Sequence, residues 1–460
     1  MKREVLRINN LNSKDHSVRT LENICLCIFE GETAGFLGLS YSGKDFLVGI
    51  LTGEVREDIY DYQIYVEGKR MKSSRELKKK IYKVTASNYR IDDWTAAEYI
   101  GLVDRSWACD FLKKKALTEE IGEYFIKLGI PFDVSRKIRE LTEVEKRITD
   151  IVKACRYGAK IVIIEDEFEG MHLNAIKEFA CILKGLIAGR MAVIINSYSD
   201  TVASILCEKY IIFKEGCIVK KCKKEAIENV KHLELFILGS KIKSKKKSLD
   251  SYVLEQNSTE EIVYRVKGMK LKGVRKGDFI FRKGEVVTFL ALEKKERERI
   301  FLELSGRERI YGTAAECPKE KIVSVMYMGS REEIFANMRV EENLLLPSLE
   351  KISSLEYIIS SHNIFKMLRQ SIGGSITAEP DIPAGDLEIN DIIGITLERW
   401  YIYNPRVLVL LEPFAQCDVY GVSLVKSYIK KFANKGTAVI IIKSREEYVE
   451  DISDQIITIY

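Results

Sequence analysis

Short unbroken apolar runs alternate with longer amphipathic stretches along this chain. Ile161-Val162-Ile163-Ile164 is a continuous β-branched run that ends in the acids Glu165, Asp166 and Glu167. Val407-Leu408-Val409-Leu410-Leu411 is a run of the same kind, followed by Glu412 and Pro413. Runs this short, apolar at every position, predict central strands of a parallel sheet buried on both faces. Each is followed by a helical stretch and a further apolar run, Met191 to Asn196 and Ala438 to Lys443. Strands alternating with helices predict an α/β architecture.

The pattern also repeats. The polar turn Phe29-Glu30-Gly31-Glu32 leads into the apolar strand Thr33 to Leu37, then a loop and a helical run that ends Leu51-Thr52-Gly53. Arg282-Lys283-Gly284-Glu285 leads into Val286 to Leu290, and that block ends Leu304-Ser305-Gly306. Gly31–Gly53 and Gly284–Gly306 align without a gap, so the chain reads as two copies of one plan. Between the copies, Lys241 to Ser248 is lysine-rich and Glu255 to Glu260 is polar. This stretch predicts a solvated tether. The expected division is a first domain over 1–240, a linker over 241–262 and a second domain over 263–460.

Composition narrows the class. The 460 residues are 46% hydrophobic and 31% charged, which fits folded domains with sizeable cores. A net charge of +5 on so many charged groups is too weak to predict a nucleic-acid partner. No uncharged apolar stretch reaches the roughly 18 residues of a membrane helix, and the charged N-terminus is unlike a signal peptide. The ten cysteines form no metal-ligand spacing and mostly sit in apolar runs, which predicts buried free thiols in a reducing cytoplasm.

One motif carries chemistry. Gly38-Leu39-Ser40-Tyr41-Ser42-Gly43-Lys44-Asp45 follows a strand and opens a helix, with the spacing of a phosphate-binding loop. Glycines let the backbone turn its N–H groups toward phosphates, the helix N-terminus adds positive potential, and Lys44 neutralises terminal phosphate charge. Asp45 stands where a Mg²⁺-ligating Ser or Thr is usual. Its carboxylate faces the phosphates, and two unit charges about 4 Å apart repel by about 4 kcal/mol at an effective dielectric of 20. The second copy, Ala291 to Glu298, has no glycine and brings Glu293, Glu296 and Glu298 to the loop. It predicts an ordinary strand–helix connection without a ligand.

With these blocks in view, the chain resembles, over nearly its whole length, the duplicated ATP-binding subunit of monosaccharide importers of the ATP-binding cassette (ABC) type. Arg331 and Glu342-Asn343-Leu344-Leu345-Leu346-Pro347 resemble the second-half arginine loop and the segment after it. Arg399-Trp400, Asn404-Pro405-Arg406-Val407-Leu408, Glu412-Pro413 and Cys417-Asp418-Val419-Tyr420-Gly421 resemble further second-half blocks. Leu128-Gly129 and Leu141-Thr142 resemble the approach to the first signature segment. The resemblance implies two tandem P-loop nucleotide-binding domains, each with a mainly parallel core sheet, a small antiparallel β subdomain and a helical subdomain. It further implies ATP and Mg²⁺ as cofactors, membrane permease subunits as partners and a pseudo-dimer of the two halves. The expected location is the cytoplasm, peripheral at the inner face of the membrane.

The departures from the family weaken catalysis. The signature glycine, which lets a helix N-terminus approach the γ-phosphate, is Val144 in the first half. The second half reads Leu387-Glu388-Ile389-Asn390-Asp391, also without glycine. The Asp-Glu pair that holds Mg²⁺ and polarises water falls on Glu165 and Asp166, or, one residue on, on Asp166 and Glu167. In the second half the metal position is Leu411 and the base position is Glu412. The Mg²⁺-sensing glutamine falls at Ala86, the switch histidine at Tyr198, and the adenine-stacking aromatic at Asp15 and His16. The expected nucleotide site is therefore Gly38 to Asp45, with Asp45 and Glu165 at the metal and Glu165, Asp166 and Glu412 as catalytic candidates. Turnover is expected to be weak or absent. The competing reading is a regulatory or scaffold pseudo-ATPase.

Overall fold

The computed structural model describes residues 3–14, 21–40, 42–56, 60–61, 63–85, 90–101, 114–130, 132–165, 168, 171–226, 261–271, 274–306, 314–315, 322–326, 328–349, 353–354, 358–359, 376, 379–415 and 417–459. Tyr41, Asp166, Glu167, Ala86, Asp15, His16 and nearly all of the lysine-rich tether lie outside them. The chain divides into two compact units, Met1–Gly239 and Ser240–Tyr460.

The first unit is built on a six-stranded sheet. From edge to edge its strands are Cys217–Lys223, Lys209–Lys214, Thr33–Leu37, Ala192–Asn196, Ile161–Glu165 and Ile81–Thr85. All neighbouring pairs are parallel except the first, an antiparallel hairpin at the edge. The apolar runs occupy the centre because both faces are covered. Val162 and Ile164 point into one core with Val193 and Ile195, while Ile161 and Ile163 point into the other with Ala192 and Ile194. Successive side chains of a strand alternate faces, so a strand covered twice must be apolar at every position. Removing one such side chain from water contributes roughly 1.5–3 kcal/mol.

The first of these cores is closed by the helices Glu143–Arg156 and Leu173–Ile187 and by a helical subdomain formed from Ala96–Gly101 and Lys114–Lys127. The second is closed by the helix Lys44–Leu51 and a small antiparallel sheet. That sheet runs in the order Ile24–Phe29, Glu4–Leu11, Ile64–Val66, Lys69–Arg70.

The second unit repeats these layers with fewer strands. Its sheet of five, wholly parallel, runs Ile322–Val325, Val407–Leu411, Ala438–Lys443, Val286–Ala291, Gln455–Ile459. Leu408 and Leu410 face one core, and Val407, Val409 and Leu411 the other. An antiparallel sheet of Val274–Arg282, Ile262–Leu271 and Ala314–Ala315 flanks it. A separate apolar cluster that includes Ile334, Val340, Leu344, Leu387 and Ile392 supports the helical part.

The cysteines correct one expectation. All eight described cysteines are free, but only Cys207 and Cys417 are buried, while Cys25 and Cys181 are exposed. Cys25 lies on the strand Ile24–Phe29 between the buried Ile24 and Leu26, so alternation turns it outward. Among the described residues, no helix is long and apolar enough to cross a membrane.

Candidate functional site

The first loop keeps the backbone of a phosphate binder. Gly43 caps the helix Lys44–Leu51 in the left-handed region, at φ 89°, where a side chain is strained. Gly38 sits at the end of the strand, and a Cβ there would come within 2.7 Å of the Phe213 carbonyl oxygen and 2.5 Å of Ser42 Oγ. Ser42 itself is buried, and its hydroxyl has no hydrogen-bond partner among the described residues. An unsatisfied donor inside a glycine-bent loop fits a phosphate oxygen.

The side chains around the loop form a closed polar network. Lys44 is fully buried. Its ammonium donates to Asn196 Oδ1 at 2.8 Å, pairs with Asp45 Oδ1 at 3.2 Å and lies 3.7 Å from the centre of the Tyr198 ring. Asn196 Nδ2 donates to Asp45 Oδ1 at 2.9 Å and to Glu165 Oε1 at 3.0 Å. The Tyr198 hydroxyl donates to Asp45 Oδ2 at 2.7 Å. Lys83, on the strand Ile81–Thr85, pairs with Glu165 Oε2 at 2.7 Å and with Glu54 at 3.1 Å. The structure thus brings Gly38, Gly43, Lys44, Asp45 and Glu165 together, with Leu39, Ser40 and Ser42 between them on the loop. Tyr41 and Asp166 lie outside the described residues.

The electrostatics follow from these contacts. Burial raises the cost of ionising Asp45, but the Lys44 charge and the hydrogen bonds from Asn196 and Tyr198 outweigh it and hold the carboxyl below its usual range. Burial likewise presses on Lys83, and Glu165 and Glu54 outweigh it, holding the ammonium above the usual lysine range. Cations and anions therefore compensate each other inside the site. A phosphate has to displace Asn196 or Asp45 from Lys44 before it can use that charge.

Asn196, Lys83 and Tyr198 as a donor to Asp45 are members of this network that motif reading misses. Asn196 had a signal. It closes the otherwise apolar strand Ala192–Asn196, and a buried amide at such a place requires partners.

The residues fit a divalent cation poorly. Asp45 and Glu165, expected as metal ligands, each carry a donor on both oxygens, including an ammonium apiece. Among the described residues no group of three or more His, Cys, Asp or Glu side chains is placed to hold a metal.

The second loop has the opposite polarity. Its strand runs on to Ala291 and its helix, Lys294–Leu304, begins earlier relative to the repeat than Lys44–Leu51 does. Without glycine, and rich in the good helix formers Lys, Glu and Arg, the stretch corresponding to 41–43 is wound into the helix. Arg297 stands as far after Gly284 as Lys44 does after Gly31. It is buried, and its guanidinium donates to the carbonyl oxygens of Ala291 at 2.9 Å and Leu292 at 2.7 Å. It also pairs with Glu412 Oε1 at 3.1 Å, an oxygen that accepts from the Ser444 amide at 2.7 Å. A phosphate loop presents N–H groups to an anion, whereas this one presents carbonyls to a cation. Glu412, the second-half catalytic candidate, is bound by that cation.

The first signature helix is closed by its own side chains. Thr142 caps Glu143–Arg156, accepting from the Glu145 amide at 3.2 Å, while Glu145 accepts from the Thr142 amide at 2.7 Å. This capping box satisfies amides at the helix N-terminus. Glu143 adds a carboxylate there, held by Arg147 and by Lys146 at 2.8 Å. Burial opposes its ionisation, but Arg147 and Lys146 prevail and bring it down to about 2 from 4.5. In the second half Glu388 precedes Ile389–Tyr403, and Asp391 lies buried in its first turn.

A depressed carboxyl stabilises the fold above its unfolded value and loses that contribution as pH falls toward its folded value. The wild type is therefore expected to lose more stability than Glu143→Gln as pH falls from 4.5 toward 2, by at most about 3 kcal/mol. Urea unfolding of both proteins across that range measures it, and parallel pH profiles would contradict it.

No protein-family model matches the chain. It is 22% identical over 483 residues to the ribose import ATP-binding protein RbsA of Caldanaerobacter subterraneus, covering 99% of this chain and 94% of that protein. It is also 22% identical over 498 residues to the xylose import ATP-binding protein XylG of Geobacillus kaustophilus, covering 99% and 94%. Among solved structures, RNase-L Inhibitor matches with a TM-score of 0.55 at 14% identity, over 98% of this chain and 87% of that one. The chain is thus related over its whole length to sugar-import ATP-binding proteins, and its fold is that of two tandem ABC-type ATPase domains.

Proposed function

We propose, for a chain related along its whole length to sugar-import ATP-binding proteins, that it is an ABC importer-type subunit that takes one nucleotide, in its first half, and hydrolyses it weakly or not at all. The observation that carries this is the asymmetry of the two loops. The first keeps Gly38, Gly43 and Lys44 around an unsatisfied buried hydroxyl, whereas the second is wound into a helix and filled by Arg297. Weak turnover follows from the surroundings. Hydrolysis needs a polarised water, a held metal and charge stabilisation of the γ-phosphate together. Here Glu165 and Glu412 are both engaged by cations, the first signature helix is capped by Thr142 and Glu145, and the second carries Glu388 and Asp391 at its N-terminus. Losing one charge-stabilising donor typically costs about 10²–10³ in rate, and several are lost. By analogy with the importers, the partner is a membrane permease.

The internal satisfaction of Lys44 and Arg297 favours a second reading, a scaffold that holds the cassette fold for its partner without nucleotide. Calorimetry with ATP separates the two. We expect one nucleotide per chain, an affinity at least about tenfold weaker in Lys44→Ala, and turnover well below about 1 per second. Equal heats from wild type and variant would place ATP elsewhere or nowhere. Turnover at that rate or above, abolished by Lys44→Ala, would make the chain an ordinary ATPase.

A further inference from the structure

We infer that fixed side-chain cations engage the acids at the ends of the two core strands, Lys83 at Glu165 and Arg297 at Glu412, so that neither acid is free to hold a divalent metal. In the first half, Lys83 Nζ lies 2.7 Å from Glu165 Oε2, and Asn196 donates to Oε1 at 3.0 Å. In the second, Arg297 Nε lies 3.1 Å from Glu412 Oε1. Glu165 ends the core strand Ile161–Glu165, and Glu412 directly follows the corresponding strand Val407–Leu411. Two acids at matching ends of two core strands are therefore each held by a cation.

The cations come from different elements, a core strand for Lys83 and the loop helix for Arg297. They are thus not one ancestral contact copied twice. They are two routes to the same charge compensation. The second pair is largely buried, with Glu412 12% and Arg297 4% exposed, and the first is half-buried, with Lys83 24% and Glu165 33%.

The chemistry excludes sharing. Mg²⁺ requires near-ideal octahedral oxygen coordination at about 2.0–2.1 Å and keeps several waters. An ion bonded to Glu165 Oε2 would sit within a few ångströms of the Lys83 ammonium, dication against cation, in a half-buried place where water screens poorly. Asp45, the other described acid at the first loop, is already held by Lys44, Asn196 and Tyr198. An ammonium also neutralises one charge without the geometric demand of a metal. A nucleotide bound at the first loop would then meet the same field with or without Mg²⁺. This last consequence rests on the nucleotide reading above, but the engagement of Glu165 and Glu412 by cations does not.

The test uses the full chain in two arms. In the first, Mn²⁺ is titrated into nucleotide-free protein and followed by electron paramagnetic resonance. The wild type and Lys83→Arg are expected to show no site tighter than about 1 mM, and Lys83→Met to acquire one that Glu165→Gln removes. A wild-type Mn²⁺ site abolished by Glu165→Gln would overturn the inference. So would a folded Lys83→Met that gains none, and if that variant does not fold the wild-type titration decides alone.

In the second arm, ATP affinity is measured in EDTA and in excess Mg²⁺. Values within about twofold support the inference, and a Mg²⁺ enhancement above about tenfold that Glu165→Gln removes would overturn it. No ATP binding in either buffer would sink the one-nucleotide reading and leave the Mn²⁺ arm to decide this one.

Discussion

Replacing Arg297 by alanine is expected to destabilise the second unit by about 3–5 kcal/mol, the usual cost of removing one partner from a buried ion pair. Three acceptors lose the guanidinium at once, and Glu412 keeps only the Ser444 amide among its described hydrogen-bond donors. Glu412 is left as a buried carboxylate 12% exposed, and the carbonyls of Ala291 and Leu292 lose the guanidinium that satisfies them. A unit of this size loses roughly 2–4 °C per kcal/mol, so its melting step should fall by about 6–20 °C. Calorimetric scanning of the full chain reads this directly. Glu412→Gln should cost less, because the amide keeps an acceptor oxygen for the Ser444 amide and leaves an Arg297 that still binds two carbonyls. The double variant should cost less than the sum, with a coupling of about 1–3 kcal/mol. Arg297→Ala within about 0.5 kcal/mol of wild type would mean that the pair does not hold the loop. Nucleotide stoichiometry should be unchanged on the proposal that only the first half takes a nucleotide.

The contrast between the halves explains what the sequence made legible. Strands covered on both faces must be apolar throughout, so Ile161–Ile164 and Val407–Leu411 announce themselves without context. The gap-free repeat from Gly31 and from Gly284 places both strand–loop–helix blocks. Gly38 and Gly43 are readable because only glycine tolerates those backbone positions. Polar partnerships are different. Asn196 stands far along the chain from Lys44, and Lys83 comes to Glu165 only through the parallel pairing of Ile81–Thr85 with Ile161–Glu165. Spacing along the chain carries no information on such pairs. Arg297 was visible as the counterpart of Lys44, but its role depends on the direction of its side chain, back onto its own loop carbonyls. The second loop, without glycine and with three acids, predicts a connection without a ligand, and the structure adds that a cation fills the place.

Asp45 is where a single substitution should change binding most. Asp45→Ser is expected to tighten ATP binding by about tenfold to a hundredfold. The aspartate acts twice against a nucleotide, bringing a negative charge beside the phosphates and holding the lysine that should meet them. Charges about 4 Å apart at an effective dielectric of 20 repel by about 4 kcal/mol, nearly a thousandfold in affinity. Asp45 is 36% exposed and already compensated by Lys44, so solvent and the ion pair reduce that figure. Serine keeps a hydroxyl for the Tyr198 hydroxyl or a phosphate oxygen, and it leaves Lys44 donating to Asn196 Oδ1. The fold should pay modestly, by about 1–2 kcal/mol, because a buried ammonium loses its counter-ion while the Asn196 bond and the Tyr198 ring remain. Calorimetric ATP titration of wild type, Asp45→Ser and Asp45→Ser with Lys44→Ala tests both parts of the argument. The gain should vanish in the double variant, because it acts through Lys44. An unchanged affinity in a folded Asp45→Ser would show that the carboxylate does not govern phosphate access. A gain that survives Lys44→Ala would show that simple charge removal, and not release of the lysine, was responsible.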